Sequence, residues 1–177
     1  MKLLFQTGGV LFLLLNLVGC ASKALVKPAT LSANGGSVSV DFVWVRTTTS
    51  VAAAETDRQF FHDTVITGLR ETQLFGAVSG DQADGSGGDG LKVVADIKAL
   101  KRVSTDARIW FGALAGRAQI AVQVTISDFR SGRLIRSFEV DAVSGESARA
   151  GTTDEAMQRA AQQIVAELVS LSRQTNP

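Results

Sequence analysis

Alternating apolar and polar residues predict four β-strands along this chain. They span residues 37–46, 91–103, 117–127 and 134–143, and residues 74–78 form a shorter candidate edge strand. The pattern is clearest in residues 117–127, where Ala118, Ile120, Val122, Val124 and Ile126 point to one side. In residues 37–46 the shared apolar face consists of Val38, Val40, Phe42 and Trp44. Each of these strands therefore has one side that can cover a core.

Two further stretches repeat apolar residues with the period of an α-helix. In residues 51–72 the apolar stripe consists of Phe61, Val65, Leu69 and Thr72. In the stretch that ends at about Arg173 it consists of Met157, Ala160, Ala161, Ile164, Leu168 and Leu171. Thr152 stands three residues before Glu155, which is the spacing of a capping box and predicts the start of this helix.

The order of these elements predicts an α+β fold, an α/β two-layer sandwich. We expect one largely antiparallel sheet of four to five strands, with two helices packed on one face. Residues 37–173 then form a single globular domain, and residues 174–177 form a C-terminal tail.

Residues 1–19 have the pattern of a signal peptide. Met1 and Lys2 give a positive start, and the apolar run from Val10 to Val18 is shorter than the roughly 20 residues of a spanning helix. The tetrapeptide Leu17-Val18-Gly19-Cys20 resembles the lipobox of bacterial lipoproteins. That resemblance implies cleavage before Cys20 and a membrane anchor of acyl chains, such as palmitate, on Cys20. The alternatives are a plain signal peptide and an uncleaved anchor.

The resemblance also implies a location. In bacterial lipoprotein sorting, aspartate after the lipidated cysteine retains a protein in the inner membrane, and here that position is Ala21. We therefore expect attachment to the outer membrane, facing the periplasm. Residues 20–36 carry Pro28 and Gly35-Gly36 without periodicity, so the sequence predicts a flexible tether that reaches about 50 Å at full stretch.

Composition narrows the chemistry. The chain has 18 basic and 17 acidic residues, a balance that does not favour nucleic acid as a partner. Cys20 is the only cysteine and His62 the only histidine, which removes most hydrolase and metalloenzyme designs. We expect His62 at the surface or boundary, and we expect no catalytic residues, metal or cofactor. Residues 80–90, rich in glycine and aspartate, favour a mobile loop over a calcium site because their spacing matches no calcium-binding pattern.

Residues 104–116 contain an apolar cluster in a connecting segment. Its members are Ile109, Trp110, Phe111 and Leu114. Connecting loops are usually polar, so this cluster either closes the core or contacts a partner protein or lipid surface.

The same segment carries a family resemblance. Residues 108–118, RIWFGALAGRA, lead into the strand that ends at Asp128, and Gly132-Arg133-Leu134 follow. This part of the chain resembles a family of bacterial envelope proteins known as domain of unknown function 4410, with Leu114 at a position where the family pattern has glycine. The resemblance implies a lipid-anchored envelope protein and names no catalytic residues. The order of elements also resembles that of the curli secretion lipoprotein and of lipoprotein activators of penicillin-binding proteins.

These observations favour a non-catalytic envelope lipoprotein that acts as an interaction or assembly module with an envelope protein partner. A second hypothesis is a domain that binds a small ligand or a cell-wall glycan on a polar sheet face formed by Lys92, Lys98, Gln119, Gln123 and Arg136. A third is self-association into a ring, a homo-oligomer like those of secretion channels.

Overall fold

The architecture is a mixed sheet covered by two helices. The computed structural model describes residues 25–31, 41–80, 89–103, 106, 116–145 and 151–175. In chain order the elements are β1 (Leu25–Leu31), β2 (Phe42–Thr49), α1 (Glu55–Glu71), β3 (Ala77–Ser79), β4 (Gly90–Lys101), β5 (Gln119–Asp128), β6 (Leu134–Val143) and α2 (Thr153–Thr175). The predicted α+β class is confirmed, and the described residues contain both predicted helices.

The six strands lie in the order β1-β6-β5-β4-β2-β3. The pairs β1–β6, β6–β5 and β5–β4 are antiparallel, whereas β2 runs parallel to both β4 and β3. The sheet is therefore mixed, and it has six strands where the sequence predicts four to five. The parallel pair β2–β3 needs a crossover connection, and α1 supplies it.

Strand β1 lies within residues 20–36, where the sequence predicts a tether. Its residues pair with β6 from Leu25 opposite Asp141 to Leu31 opposite Arg136, and the register shifts between Lys27 and Thr30. Pro28 falls in that irregular part. Proline has no N–H to donate, so a strand that contains it is tolerated at the edge of a sheet, where β1 lies.

The core lies between the sheet and the two helices. As predicted, strands β4, β5 and β6 direct alternate residues into it: Leu91, Val93, Ala95, Ile97, Ile120, Val122, Val124, Ile126, Phe138, Val140 and Ala142. The apolar stripe of α2 is buried in full, and α1 contributes Phe61, Val65 and Leu69. Burying one such side chain stabilises the fold by about 1.5–3 kcal/mol. This packing fixes which face of the sheet the helices cover.

Strand β2 has the orientation opposite to the predicted one. The face that contacts the helices is that of Val43 and Val45, not the predicted face of Phe42 and Trp44. Val43 and Val45 are fully buried, whereas Phe42 and Trp44 lie half-buried on the other side of the sheet. The pattern is ambiguous here because both faces of β2 are apolar between Phe42 and Val45, as is common for strands with parallel neighbours.

The start of α2 confirms the predicted capping box. The Thr152 hydroxyl accepts a hydrogen bond from the Glu155 N–H at 3.2 Å, and the Glu155 carboxylate accepts one from the Gly151 N–H. The carboxylate thus reaches one residue further back than in the usual motif, and it also pairs with Arg159 at 2.5 Å. Helix α1 begins at Glu55, whereas the sequence predicts about residue 51.

Candidate binding surface

The sheet has one face that no described helix covers. Both helices belong to the core on the inner face, so the alternate residues of β2, β4 and β5 point outward. The register places Trp44, Lys92 and Ser127 side by side across these three strands. We call this side the outer face, and most of its residues are half-buried.

Aromatic side chains meet at one end of the outer face. The ring centroids of Phe42 and Phe129 lie 5.3 Å apart with perpendicular planes, and those of Trp44 and Phe129 lie 6.3 Å apart. The Lys92 ammonium nitrogen lies 5.3 Å from the centroid of the Trp44 ring. We call these four residues the aromatic cluster. Edge-to-face pairs of this kind stabilise a fold by about 0.5–1.5 kcal/mol in addition to the burial of apolar area, so these contacts hold the indole ring in one orientation.

Gly90 makes the aromatic cluster possible. A Cβ atom at this position would lie 2.7 Å from the Phe42 carbonyl oxygen and 2.8 Å from Phe42 Cδ1. The Gly90 carbonyl also accepts a hydrogen bond of 2.9 Å from the Phe129 N–H. The missing side chain therefore leaves room for the ring of Phe42 beside the start of β4.

A polar cluster lies further along the outer face. Asp96 Oδ2 accepts one hydrogen bond from Ser50 Oγ at 2.7 Å and pairs with Lys98 Nζ at 2.5 Å. Burial alone would raise the pKa of the Asp96 carboxyl, but the hydrogen bonds from Lys98 and Ser50 outweigh it and hold the pKa below its ordinary value. Asp96 is therefore a carboxylate at neutral pH, and it binds its own neighbours.

The polar residues that the ligand-binding hypothesis groups together do not all share this face. Lys92, Lys98, Gln119 and Gln123 lie on it, and Gln123 donates hydrogen bonds to Ser137 Oγ at 2.9 Å and to the Phe138 carbonyl at 3.1 Å. Arg136 lies on the helix side, where it pairs with Glu167 at 2.9 Å. Its inclusion in the polar face is wrong, because alternation in β6 puts it on the same side as the buried Phe138.

A cleft opens at the edge of β2. All eight residues of β2 pair with β4, but β3 covers only Phe42–Trp44. Among the described residues, the rest of β2 has no strand beside it. There lies a cleft of about 550 Å³, which we call the edge cleft, lined by Trp44, Arg46, Thr47, Thr48, Thr49 and Arg58. Arg58 donates from Nη1 to the Thr47 carbonyl at 3.1 Å and also pairs with Glu55.

His62 is buried, contrary to the expected surface or boundary position. Its side chain is 5% exposed, and Nδ1 lies 3.2 Å from the hydroxyl of Thr47, which is 3% exposed. A Cβ atom at Gly80 would lie 2.6 Å from His62 Nε2, so backbone covers the other ring nitrogen. The prediction failed because the buried face of α1 includes a polar residue as well as apolar ones. His62 can lie on that face because Thr47 of β2 supplies a polar partner for its ring.

A second groove, of about 390 Å³, lies between the two helices. Its lining residues include Phe60, Thr64, Thr67, Gln158 and Gln162. The helices approach closely at its floor, where a Cβ atom on Gly68 would lie 3.0 Å from Val165 Cγ2. This groove is shallow because that contact closes it.

Several predicted site residues lie outside the described residues. These are the lipobox residues Leu17, Val18, Gly19 and Cys20, and the apolar cluster Ile109, Trp110, Phe111 and Leu114. Residues 81–88 of the glycine-aspartate segment do so as well. Within the part of the chain that the structure describes, no three histidine, cysteine, aspartate or glutamate residues are grouped as metal ligands. In that same part, no helix is long and apolar enough to cross a membrane.

Sequence reasoning missed the residues of the aromatic cluster and the edge cleft. Alternation predicts Phe42 and Trp44 on the inner face, and it indicates no role for Arg46. The sequence did contain an indication of this surface. Val43 and Val45 alternate with Phe42 and Trp44, so both faces of β2 are apolar, whereas a strand that covers the core on one side needs only one apolar face. Phe129 could not be found in this way, because it follows β5 in a turn and reaches Phe42 only in the folded chain.

Comparison with known proteins shows the fold. The sequence matches no family model, and no curated protein matches it, so the resemblance to domain of unknown function 4410 stays a prediction. Among solved structures, the PelC dodecamer from Paraburkholderia phytofirmans is similar over 85% of this chain and 97% of that chain, with a TM-score of 0.54 and 14% identity.

Two other solved structures are similar over most of their length. A protein from Xanthomonas campestris assigned to the DUF330 family is 14% identical over 82% of this chain and 91% of that chain, with a TM-score of 0.45. A candidate lipoprotein from Caulobacter crescentus is 14% identical over 75% of this chain and 93% of that chain, with a TM-score of 0.43.

Proposed function

We propose that this chain is a non-catalytic envelope lipoprotein that assembles with further copies of itself at the outer membrane. The observation that carries the proposal is the outer face, where half-buried aromatic and aliphatic side chains lie on a side that no described helix covers. A partner that covered this face would bury apolar surface at about 25 cal/mol per Å². A second copy is the partner we favour, because the similar PelC structure is a dodecamer.

Membrane attachment is the second part of the proposal. The signal-like segment 1–19 and the lipobox ending at Cys20 support an acyl anchor on that cysteine. Each buried methylene contributes about 0.8 kcal/mol, so two or three acyl chains hold a protein at a membrane durably. Anchoring confines the copies to a surface and raises their local concentration, which favours association.

The described polar groups support binding rather than catalysis. His62 is held by Thr47 in the interior, and Asp96 and Gln123 are hydrogen-bonded to their own neighbours on the outer face. A nucleophile and base in contact at an open cleft would be needed for acyl or glycosyl transfer. The described residues form networks that stabilise the sheet instead.

Native mass spectrometry of the lipidated protein in detergent tests self-assembly. We expect a discrete multiple of the protomer mass. Val94→Arg, which places a charge in the middle of the outer face, should give monomers that keep the native circular dichroism spectrum. Thr67→Arg, on the exposed side of α1, is the matched control and should leave the assembly intact. A wild-type protein that is monomeric across the whole concentration series would overturn the proposal.

A further inference from the structure

The edge cleft combines an aromatic wall, a guanidinium and hydroxyl groups. We propose that it binds a carboxylated sugar, with Trp44 as the surface on which the sugar ring stacks and Arg46 as the partner of the carboxylate. Trp44 and Arg46 lie at the β2 edge of the outer face, so this inference requires that self-assembly leave that edge of the sheet open.

The size and lining of the cleft suit a small polar ligand. Its volume of about 550 Å³ falls within the range of roughly 300–1,000 Å³ that is usual for ligand sites. Three consecutive threonines, Thr47 to Thr49, form part of its lining. All three hydroxyls have partners within the fold: Thr47 contacts His62, Thr48 bonds to Asp96, and Thr49 donates to the Val51 carbonyl at 2.9 Å. What they can offer to sugar hydroxyls is a remaining acceptor lone pair. An apolar ligand would find few partners on such a wall.

Charge in the edge cleft favours an anion. On one wall, Arg58 is fixed by the Glu55 carboxylate, which compensates its charge, and by the Thr47 carbonyl. Arg46 is exposed on the other wall, and none of the described residues forms an ion pair with it. A guanidinium presents parallel N–H groups that match the two oxygens of a carboxylate, which gives a short, directional contact.

Trp44 supplies the stacking surface. The indole is half-buried on the outer face, and it lines the edge cleft while Lys92 lies over its ring. The face of an aromatic ring carries partial negative charge, and the axial C–H groups of a pyranose ring carry partial positive charge. The edge-to-face contact with Phe129 holds the indole in place, so stacking costs little side-chain entropy.

Intrinsic fluorescence gives a direct test, because Trp44 and Trp110 are the only two tryptophans. In a Trp110→Phe background of the lipidated protein, Trp44 is the sole reporter. Titration with tri-galacturonic acid should change its emission saturably, whereas the methyl ester of the same trisaccharide should bind much more weakly. In that background Arg46→Gln should raise the Kd at least about tenfold, as loss of a charged hydrogen bond does.

Matched variants separate the outcomes. Lys101→Gln removes one positive charge from an exposed position outside the cleft and should bind like the parent. Equal binding of acid and ester, an unchanged Kd in Arg46→Gln, or no saturable response to the acid would each overturn the proposal.

Discussion

At the scale of single residues, one buried pair shows how the interior accepts polar groups. His62 and Thr47 come from α1 and β2, and each provides the hydrogen bond that the other needs away from water. An unpaired buried polar group costs about 1–3 kcal/mol, so neither side chain would be stable there alone. The pair therefore fixes the register of the helix against the strand.

Thr47→Val tests this account. Valine keeps the shape of threonine but removes the hydroxyl, so the His62 ring loses its partner. We expect the free energy of unfolding, measured by urea denaturation, to fall by about 1–3 kcal/mol. Thr67→Val makes the same chemical change at an exposed position of α1 and should alter stability by less than about 0.5 kcal/mol. Equal effects at the two positions would mean that the hydrogen bond to His62 contributes nothing.

At the scale of elements, the sequence predicts those whose apolar residues lie on one side only. Strands β4, β5 and β6 and helix α2 have a single apolar face, and their buried residues are the predicted ones. Strand β2 is apolar on both faces, so its orientation depends on neighbours that alternation does not reveal. Strand β1 contains Pro28 and an irregular register, and its pairing with β6 spans most of the chain. Long-range pairing of this kind leaves no local pattern.

The start of α2 gives a pH-dependent prediction. Burial alone would raise the pKa of Glu155, but hydrogen bonds from the Gly151 N–H and from Arg159 lower it below its ordinary value. When the pKa of a carboxyl is lower in the folded state than in the unfolded state, its ionisation stabilises the protein at every pH above the unfolded-state pKa. This stabilisation is lost as the pH falls through the folded-state pKa.

Glu155→Gln should therefore destabilise the protein by about 1 kcal/mol at pH 7, as loss of a helix cap does. The difference from wild type in urea midpoint should shrink as the pH falls below the unfolded pKa of the carboxyl. Asp154→Asn is a suitable control, because Asp154 lies in the same first turn but outside the capping box. A difference that stayed constant down to pH 3 would contradict the pKa account.

The candidate binding surface was only partly accessible to sequence reasoning. Alternation in β4 predicts the outer-face position of Lys92 and Lys98 correctly, because the strand alternates from Leu91 to Ile97 and becomes irregular only after Ile97. The aromatic cluster and the edge cleft are not predicted by the sequence. The edge cleft lies where β2 continues beyond the end of β3, and the aromatic cluster forms where Phe129 contacts Gly90. Both depend on where chain ends and turns meet, which alternation along one strand does not encode.

At the scale of the whole molecule, the lipobox gives a prediction about location. Cys20→Ala should abolish incorporation of an alkyne-labelled fatty acid, and Ala21→Asp should move the protein from outer-membrane to inner-membrane fractions of a sucrose gradient. Ala21→Ser is the control and should leave the distribution unchanged. Persistent labelling of Cys20→Ala would refute the anchor, and an unchanged distribution of Ala21→Asp would refute the sorting argument.

Strand β1 changes how far the domain can stand from its membrane. With a lipid on Cys20, only residues 21–24 separate the anchor from β1, a reach of at most about 18 Å. The edge of the sheet formed by β1 must then lie close to the bilayer surface. Strand β2 lies four strands away across the sheet, roughly 19 Å at the usual spacing of about 4.8 Å. The edge cleft would then face the aqueous side of the domain, away from the bilayer.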